Sequence, residues 1–421
     1  MNRTEAPPVK IADHINIPHT EEMVLSNGIK VYGIPNDQGV IKVDFVFDAG
    51  KWFEPKNLVA DFANKLMREG TKQKSSLAIN EILDFYGCNL EEQSYFSNAG
   101  FQLYSLSRNI HQVLPLMKEM LTEAAFPESE FELLRSNRKE KHLQRLAKND
   151  YLANRLFLSN MWGKTHPYGR VTELENFDEM LVADVHDFFY QHYHAGNCFI
   201  ILAGEYTDAT IKQIDALFGA ADWKKQPSTS ILHQRSMGQE LIIHQEKENA
   251  VQTSLMVGNA TITKTHPDFD ELTIVNTLFG GYFGSRLMAN IREEKGYTYG
   301  VYSSLSAYQH GAIFEVSADV GKEHKDATFH EIKKEMQRLQ TELVDEEELQ
   351  TVKNYMSGRI LRSVDGALRY ADVLKGLLLF DREPESINSY LNAIQTIDAK
   401  RIQTLAEQYL QFDSMYKVSV G

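Results

Sequence analysis

Alternating apolar and polar residues mark short strands in both halves of the chain. The first half contains GIKVYGI, VIKVDFVFDAG and FQLYSLS, and the second contains ELIIHQ, VQTSLMVG and AIFEVSADV. A period of two is typical of strands with one buried face. Longer stretches, such as NIHQVLPLMKEMLTEAAF and HKDATFHEIKKEMQRLQTELV, follow strands and have the spacing of amphipathic helices. This order predicts an α+β fold in which largely antiparallel sheets are packed with helices.

The two halves also repeat each other. FPESEFELLRSN begins at Phe126, and VDEEELQTVKNY begins at Val344, 218 residues later. Each combines a turn, an acidic cluster and a helical pattern, because acidic side chains favour helix starts. DVHDFFYQHYHAGNCFIILAG ends at Gly204, and KRIQTLAEQYLQFDSMYKVSVG ends at Gly421, 217 residues later. We therefore predict two homologous domains, 1–216 and 239–421, joined by a polar linker over 217–238; one large α/β domain is the alternative.

Composition narrows the range of partners. The chain has 44 basic and 58 acidic side chains and a net charge of −14. An acidic surface repels phosphate backbones and anionic lipid, so we expect neither nucleic acid nor a membrane as partner. The two cysteines, Cys88 and Cys198, exclude a cysteine-based zinc site and allow at most one disulfide. No stretch has the ~20 apolar residues of a membrane span or the apolar core of a signal peptide, which predicts a cytoplasmic protein.

One predicted helix, over 57–71, has chemistry on its polar face. Its apolar stripe is continuous, and the opposite face carries Asp61, Asn64, Lys65 and Arg68. Gly70 follows where a helix of this length would end.

The surroundings of this helix resemble a known family. Ala49-Gly50, then Glu54, a helix and Gly70-Thr71 are similar to the start of the pitrilysin and insulinase family of zinc peptidases, which includes the mitochondrial processing peptidase. The family's paired homologous halves match the internal repeat, so the resemblance covers nearly the whole chain. In active members this helix carries His-x-x-Glu-His, whose histidines hold zinc while the Glu serves as general base.

This chain departs from that motif at every functional position. The five residues are Asp61-Phe62-Ala63-Asn64-Lys65, in which an amide replaces the base and an ammonium group would repel a dication. Asp61 and Lys65 are four residues apart and opposite in charge, which predicts an ion pair between them where zinc would lie. The window for the family's third ligand offers Glu140 and His142, neither of them clearly at the ligand position. We expect no metal and no cofactor in this chain.

A second match lies at 277–304, TLFGGYFGSRLMANIREEKGYTYGVYSS. Its glycines, Ser-Arg-Leu and an Arg seven residues before a Tyr resemble the family's second-half segment. The resemblance implies that Arg292 and Tyr299 hold substrate and stabilise the developing oxyanion, since cationic and phenolic donors suit that charge. It also implies a substrate-binding segment formed by Gly280, Gly281, Ser285 and Arg286.

Structural interpretations of the same residues stay open. Arg292 could pair with Glu293 or Glu294 on a solvated helix face, and Tyr299 could be a core residue at a strand start. Tyr297 competes for the role of Tyr299, because residues two apart lie on the same side of a strand.

Two other patterns carry less information. His186, His192 and His194 look like metal ligands, but the matching positions of the second half hold Gln408 and Leu410. The glycines at 280, 281 and 284 lack the Lys-Ser/Thr of a phosphate loop.

The hypothesis that follows is a non-metal-binding subunit of a two-subunit metallopeptidase. It would contribute Arg292 and Tyr299 in trans to a homologous zinc-bearing subunit that cleaves unfolded peptides. The zinc would then belong to the partner. A structural or scaffold subunit without catalytic role is the alternative from another class, and an active zinc peptidase with aberrant ligands is a third.

Overall fold

A computed structural model describes residues 13–221, 223 and 231–421. The strands of these residues are β1 (Glu21–Val24), β2 (Lys30–Pro35), β3 (Val40–Phe47), β4 (Asn89–Ser94), β5 (Ala99–Leu106), β6 (Cys198–Gly204), β7 (Ile242–Gln245), β8 (Gln252–Thr261), β9 (Thr298–Tyr308), β10 (Gly311–Gly321) and β11 (Tyr416–Val420). The helices of the first half are α1 (Val59–Leu66), α2 (Ser76–Phe85), α3 (Ile110–Glu123), α4 (Glu128–Leu146), α5 (Asn149–Trp162), α6 (Leu174–Asp178), α7 (Val182–His192) and α8 (Asp208–Phe218). Those of the second half are α9 (Phe269–Asn276), α10 (Lys325–Thr341), α11 (Glu346–Ser363), α12 (Ala367–Leu378), α13 (Ser386–Thr396) and α14 (Ala399–Tyr409).

The strands form two sheets with the same topology. The first has the order β1-β2-β6-β3-β5-β4, and the second has the order β7-β11-β8-β10-β9. β2 with β6 and β7 with β11 are parallel pairs, and the remaining pairs are antiparallel. Without β1, the strands of the two sheets correspond one to one. The predicted pair of homologous α+β domains is thereby confirmed, and the single α/β domain is wrong.

The boundaries at 216 and 238 stay a prediction. The first sheet ends at Gly204 and the second begins at Ile242. Residues 222 and 224–230 of the predicted linker lie outside the described residues. The following stretch bonds to the first half: the indole of Trp52 donates to the carbonyl of Ile231, and the N–H of Gly238 donates to the carbonyl of Asn160.

Each sheet is covered on both faces. On the first sheet, alternate residues of β3 (Ile41, Val43, Phe45 and Phe47) pack with α1, α3 and α7 of the same half in one buried cluster. The intervening Lys42 and Asp44 point to the opposite face and are nevertheless buried. The cover of that opposite face comes from the other half of the chain.

The halves exchange one helix each. α12 of the second half places Tyr370 and Leu374 against Ile201 of the first sheet. α5 of the first half places Phe157 against Val418 of the second sheet. α5 and α12 begin 218 residues apart, at Asn149 and Ala367, so they are equivalent parts of the repeat.

A buried ionic cluster lies under α12. The Lys42 ammonium contacts Asp372 of α12 at 2.6 Å and Asp44 of its own strand at 3.5 Å. Lys375 of α12 is 3.6 Å from Asp44, and the Gln102 amide donates to Asp44 at 2.8 Å. The cluster therefore joins β3 and β5 of one half to α12 of the other.

The helix with the altered motif is shorter than predicted. α1 spans Val59–Leu66, because Leu58 has a left-handed backbone (φ 77°) that begins the helix there. Glu54 is buried, and its carboxylate accepts a hydrogen bond from the N–H of Ala60 at 3.3 Å. Burial raises the pKa of Glu54 to about 7, although the charges of Lys51 and Arg170 oppose that rise.

The composition also led to expectations about a disulfide bond and about membrane-spanning helices. Cys88 and Cys198 are both free thiols, so the one disulfide that the composition allowed does not form. Among the residues that the structure describes, no helix combines the length and apolarity needed to cross a membrane.

The exchange of α5 and α12 predicts that the two halves unfold together. Phe157→Ala removes a fully buried ring of a first-half helix from the core of the second half. We expect a loss of about 3–5 kcal/mol in the free energy of unfolding, seen as a single urea transition at lower midpoint. Leu143→Ala, on a half-exposed leucine, is the control and should change stability little. Two separate transitions, of which only one moves, would contradict the exchange.

The burial of Glu54 predicts a specific pH dependence. Its pKa is raised from 4.5 to about 7, so the stability that its protonated form contributes is complete below about pH 4.5 and is lost as the pH rises through about 7. Glu54→Gln should therefore gain stability relative to the unmodified protein across that interval, measured by urea unfolding at each pH. Glu240→Gln, on an exposed side chain, should give a curve parallel to that of the unmodified protein. Parallel curves for Glu54→Gln as well would show that this carboxyl titrates normally.

Candidate functional site

The two charged residues of the altered motif have partners on other elements. Asp61 is 3.1 Å from the Arg138 guanidinium of α4. The Lys65 ammonium donates to Glu92 of β4 at 2.9 Å. The predicted ion pair between Asp61 and Lys65 is therefore wrong, because Arg138 of α4 pairs with Asp61 and Glu92 of β4 pairs with Lys65.

Glu92 is the centre of this charge cluster. It also contacts the Arg68 guanidinium at 3.2 Å. Burial raises the pKa of a carboxyl, but the hydrogen bonds and charges of Lys65 and Arg68 outweigh it and hold the pKa of Glu92 below its usual value. The carboxylate is thus ionised and committed to two cations.

Asn64 replaces the base of the motif and is fully buried. Its amide donates to the carbonyl of Gly100 on β5 at 3.0 Å. A carboxamide does not accept a proton at ordinary pH, so this side chain ties the helix to the sheet and activates no water.

The residues at this position do not fit zinc. Zinc sites use imidazole, thiolate or carboxylate ligands, and here three cations (Lys65, Arg68 and Arg138) surround two carboxylates that are already paired. Of the downstream candidates, Glu140 is exposed, and His142 is buried with its Nδ1 3.2 Å from the Tyr151 hydroxyl. Throughout 13–221, 223 and 231–421, no three His, Cys, Asp or Glu side chains are arranged to hold a metal.

The three histidines near the end of α7 have separate surroundings. His186 packs edge-on against Phe126. His192 lies against Phe188, and burial lowers its pKa to about 4. His194 accepts a hydrogen bond from the N–H of Gly196 at 3.1 Å. They do not form the ligand cluster that their spacing could suggest.

The glycine-rich segment forms two short π-helical turns, Thr277–Gly281 and Met288–Glu294. Such turns are rare and are frequent at functional sites. A Cβ on Gly280 would lie 2.6 Å from the Ser303 hydroxyl of β9, so the glycine allows the first turn to touch the strand.

The predicted substrate-binding residues have internal roles. Arg286 makes a bidentate ion pair with Glu348 of α11, at 2.8 and 2.7 Å. Ser285 is buried, and a Cβ on Gly281 would come within 3.1 Å of the Asn276 carbonyl. Contact of substrate with Gly280, Gly281, Ser285 or Arg286 stays a prediction.

Arg292 lies on the second π-helical turn. Its guanidinium is 4.7 Å from the centre of the exposed Phe283 ring. It is also 3.5 Å from Glu293, as the structural interpretation expected. Its side chain is one-third exposed, which leaves part of the guanidinium open to solvent.

Tyr299 lies in a β-bulge of the edge strand β9. Thr298 pairs with Val320 and Val301 with Ala318, so two residues of β9 oppose the single residue Asp319. A bulge of this kind redirects a side chain, and Tyr299 is 93% exposed although odd-numbered neighbours such as Val301 are buried. Tyr299 is therefore not the core residue of the alternative interpretation.

The bulge also separates Tyr299 from its competitor. Tyr297 precedes the strand and stacks on His324 at 4.3 Å between ring centres. The expectation that Tyr297 and Tyr299 share one side of a strand is therefore wrong. Arg292 contacts Phe283 and Glu293, whereas Tyr299 lines a cavity on the surface of the second sheet. The two residues therefore have different surroundings.

That cavity, the Tyr299 cavity, has a volume of about 500 Å³. Besides Tyr299 it is lined by Tyr302 of β9, Asp319 of β10 and Asp150 of α5. Because α5 belongs to the first half, the cavity depends on the helix exchange. Asp150 was not among the residues predicted from the sequence, because no local pattern indicates that a residue of α5 lies beside a strand of the second half.

Comparison with known proteins agrees with this architecture. Residues 35–171 match the family model described as insulinase (peptidase family M16), and residues 181–356 match the model described as peptidase M16 inactive domain. The uncharacterized zinc protease YmxG of Bacillus subtilis is 21% identical over 85% of this chain and 87% of its own length. The mitochondrial-processing peptidase subunit beta of Rattus norvegicus is 21% identical over 100% of this chain and 88% of its own length.

A solved structure shows the same fold. The peptidase M16 inactive domain from Pseudomonas fluorescens superposes with a TM-score of 0.87 and 23% identity, covering 96% of this chain and 98% of its own. Two adjoining family models, relatives along nearly the full length and the repeated sheet topology all agree. The chain belongs to the M16, or insulinase, family of peptidases.

Proposed function

We propose that this chain is the non-metal-binding subunit of a two-subunit M16 peptidase and contributes Arg292 and Tyr299 to hydrolysis at a partner's zinc. The observation that carries the proposal is the bulge that turns Tyr299 out of the sheet and leaves it 93% exposed. Within the described residues the Tyr299 hydroxyl makes no hydrogen bond, and the phenol is accessible to a second molecule.

The contacts of the residues at the altered motif also support this proposal. Asp61 and Lys65 are paired with Arg138 and Glu92, and Asn64 is bonded to Gly100. These residues supply neither a zinc ligand set nor a base, so we derive no catalytic step through zinc in this chain. A homologous partner with an intact His-x-x-Glu-His would supply both.

Arg292 and Tyr299 suit a charge-stabilising role. A guanidinium and a phenol are donors that can bind a carbonyl oxygen more strongly as it becomes negative during hydrolysis. Tyr299 is also the second residue of β9, an edge strand whose outer backbone groups can pair with an extended peptide. An unfolded peptide is therefore the substrate class we propose.

A scaffold subunit is the second candidate. The contacts of Arg292 with Glu293 and Phe283 favour it, because they give this guanidinium an internal role. Under this alternative neither Arg292 nor Tyr299 affects turnover.

The first test is metal content. After exposure to zinc and extensive dialysis, the purified chain should hold far less than one zinc per chain by elemental analysis, because Asp61 is the one potential zinc ligand at the three motif positions and is already paired with Arg138. Alone it should also cleave no unstructured peptide, with or without added metal. One tightly held zinc per chain would favour the active peptidase with aberrant ligands.

The second test is activity with a zinc-bearing M16 partner on a fluorogenic peptide. Arg292→Ala or Tyr299→Phe should lower kcat about 10²-fold or more while assembly is retained, since oxyanion donors act mainly in the transition state. Tyr190→Phe, on a half-exposed tyrosine of the first half, and Asp61→Ala should leave kcat nearly unchanged. Unchanged kcat in both Arg292→Ala and Tyr299→Phe would reject the proposal and leave the scaffold alternative.

A further inference from the structure

A second cavity lies in the second half, at the place that corresponds to the altered motif in the first. We call it the α9 cavity; its volume is about 520 Å³, and α9, β9, α11, α12 and α13 all contribute to its wall. α9, β9 and α11 are the topological counterparts of α1, β4 and α4. In the first half, ion pairs join these three elements: Asp61 of α1 pairs with Arg138 of α4, and Lys65 of α1 pairs with Glu92 of β4.

The charges of the α9 cavity are unbalanced. Asp270 is bound on both oxygens by the Arg382 guanidinium, at 3.0 and 2.7 Å. Two more cations, Lys264 and Arg359, line the same cavity. Asp270 is already paired with Arg382, and although its charge also acts on Lys264, the residues lining the cavity include three cations (Lys264, Arg359 and Arg382) and this one carboxylate.

Both cations face aromatic rings. The Lys264 ammonium is 4.4 Å from the centre of the Phe380 ring, and the Arg359 guanidinium is 5.9 Å from that of Tyr355. In the described part of the chain neither has a carboxylate within 4 Å. Burial, and then the charge of Arg382, lower the pKa of Lys264. The partly buried Lys264 ammonium is therefore the cation that a bound anion would stabilise most, and the exposed Arg359 guanidinium is available as a second donor to it.

Much of the remaining wall is apolar, and Thr273, Thr277, Ser363 and Ser386 add hydroxyl groups to it. Leu305, Met356, Leu377 and Ile387 line it, and Tyr390 adds a hydroxyl. Ligand sites are commonly apolar cavities of 300–1,000 Å³ with a few polar groups that fix orientation. Two uncommitted cations beside an apolar wall match a ligand with one anionic end and an apolar body.

We propose that the α9 cavity binds an apolar carboxylate. Its carboxylate would contact Lys264 and Arg359, and its hydrocarbon part would lie against Leu305, Met356 and Leu377. Two sources share this chemistry, namely a free fatty acid and the C-terminal end of an apolar peptide. The proposal is independent of the role of Arg292 and Tyr299, because none of its residues belongs to that site.

The test is isothermal titration calorimetry with matched charged and neutral probes. Decanoate is compared with decanol, and the peptide acetyl-Ala-Leu-Phe is compared with its C-terminal amide. At least one of the two carboxylates should bind about 10-fold or more tightly than its neutral counterpart. Lys264→Met and Arg359→Met should each remove most of that preference, whereas Lys322→Met, which removes a lysine outside the cavity, should retain it.

The outcomes separate cleanly. Preference for decanoate alone identifies a fatty acid site, and preference for the peptide acid alone identifies a peptide C-terminus site. Equal binding of charged and neutral probes, absence of binding by both carboxylates, or an equal loss in Lys322→Met would each overturn the proposal. Thermal unfolding of the variants shows whether they are folded, and Arg359→Met keeps the test valid because that side chain is exposed.

Discussion

The exchange of α5 and α12 is the interaction on which the arrangement of the molecule depends. The first sheet has apolar residues on both faces, and its second apolar face, around Ile201 and Ala203, is covered by Tyr370 and Leu374 of α12. The second sheet needs Phe157 of α5 in the same way. Neither half therefore has a complete core by itself, and the relative orientation of the sheets is set by packing rather than by the connection between them.

The ionic cluster under α12 adds specificity to that packing. Lys42 is fully buried, and a buried ammonium is costly unless a carboxylate lies close to it. One of its two carboxylates, Asp372, belongs to the exchanged helix. A shift of α12 by one turn would separate Asp372 from Lys42 and Lys375 from Asp44, whereas apolar contacts alone would tolerate such a shift. The Tyr299 cavity benefits directly, because Asp150 in its wall belongs to the other exchanged helix, α5.

Local patterns in the sequence were sufficient for the strands, the repeat and the fold class. The alternation in VIKVDFVF is a property of neighbouring residues, and the 218-residue offset was apparent because each half repeats the same local patterns. The start of α1 at Leu58, the Asp61–Arg138 pair and the Lys65–Glu92 pair were not predictable in this way. Each depends on an unusual backbone angle or on a residue 27 or more positions away. The bulge at Tyr299 is a similar case, since its extra residue is apparent only from the register against Ala318 and Val320.

The ion pairs at the altered motif hold the elements of the first half together through protein side chains alone. A zinc ion often contributes to folding when its ligands would otherwise repel one another. Here Asp61 is paired with Arg138, and Glu92 is paired with Lys65 and Arg68, so each carboxylate at that position already has a protein cation as its partner. The counterpart in the second half has no such compensation, since Asp270 is bound to Arg382 while Lys264 faces the Phe380 ring. In the first half, α1, β4 and α4 thus enclose a cluster of paired charges. In the second half, their counterparts α9, β9 and α11 line an open cavity in which cations predominate. Chemistry at this position is therefore set by a few side chains, while the helices and strands that hold them stay alike.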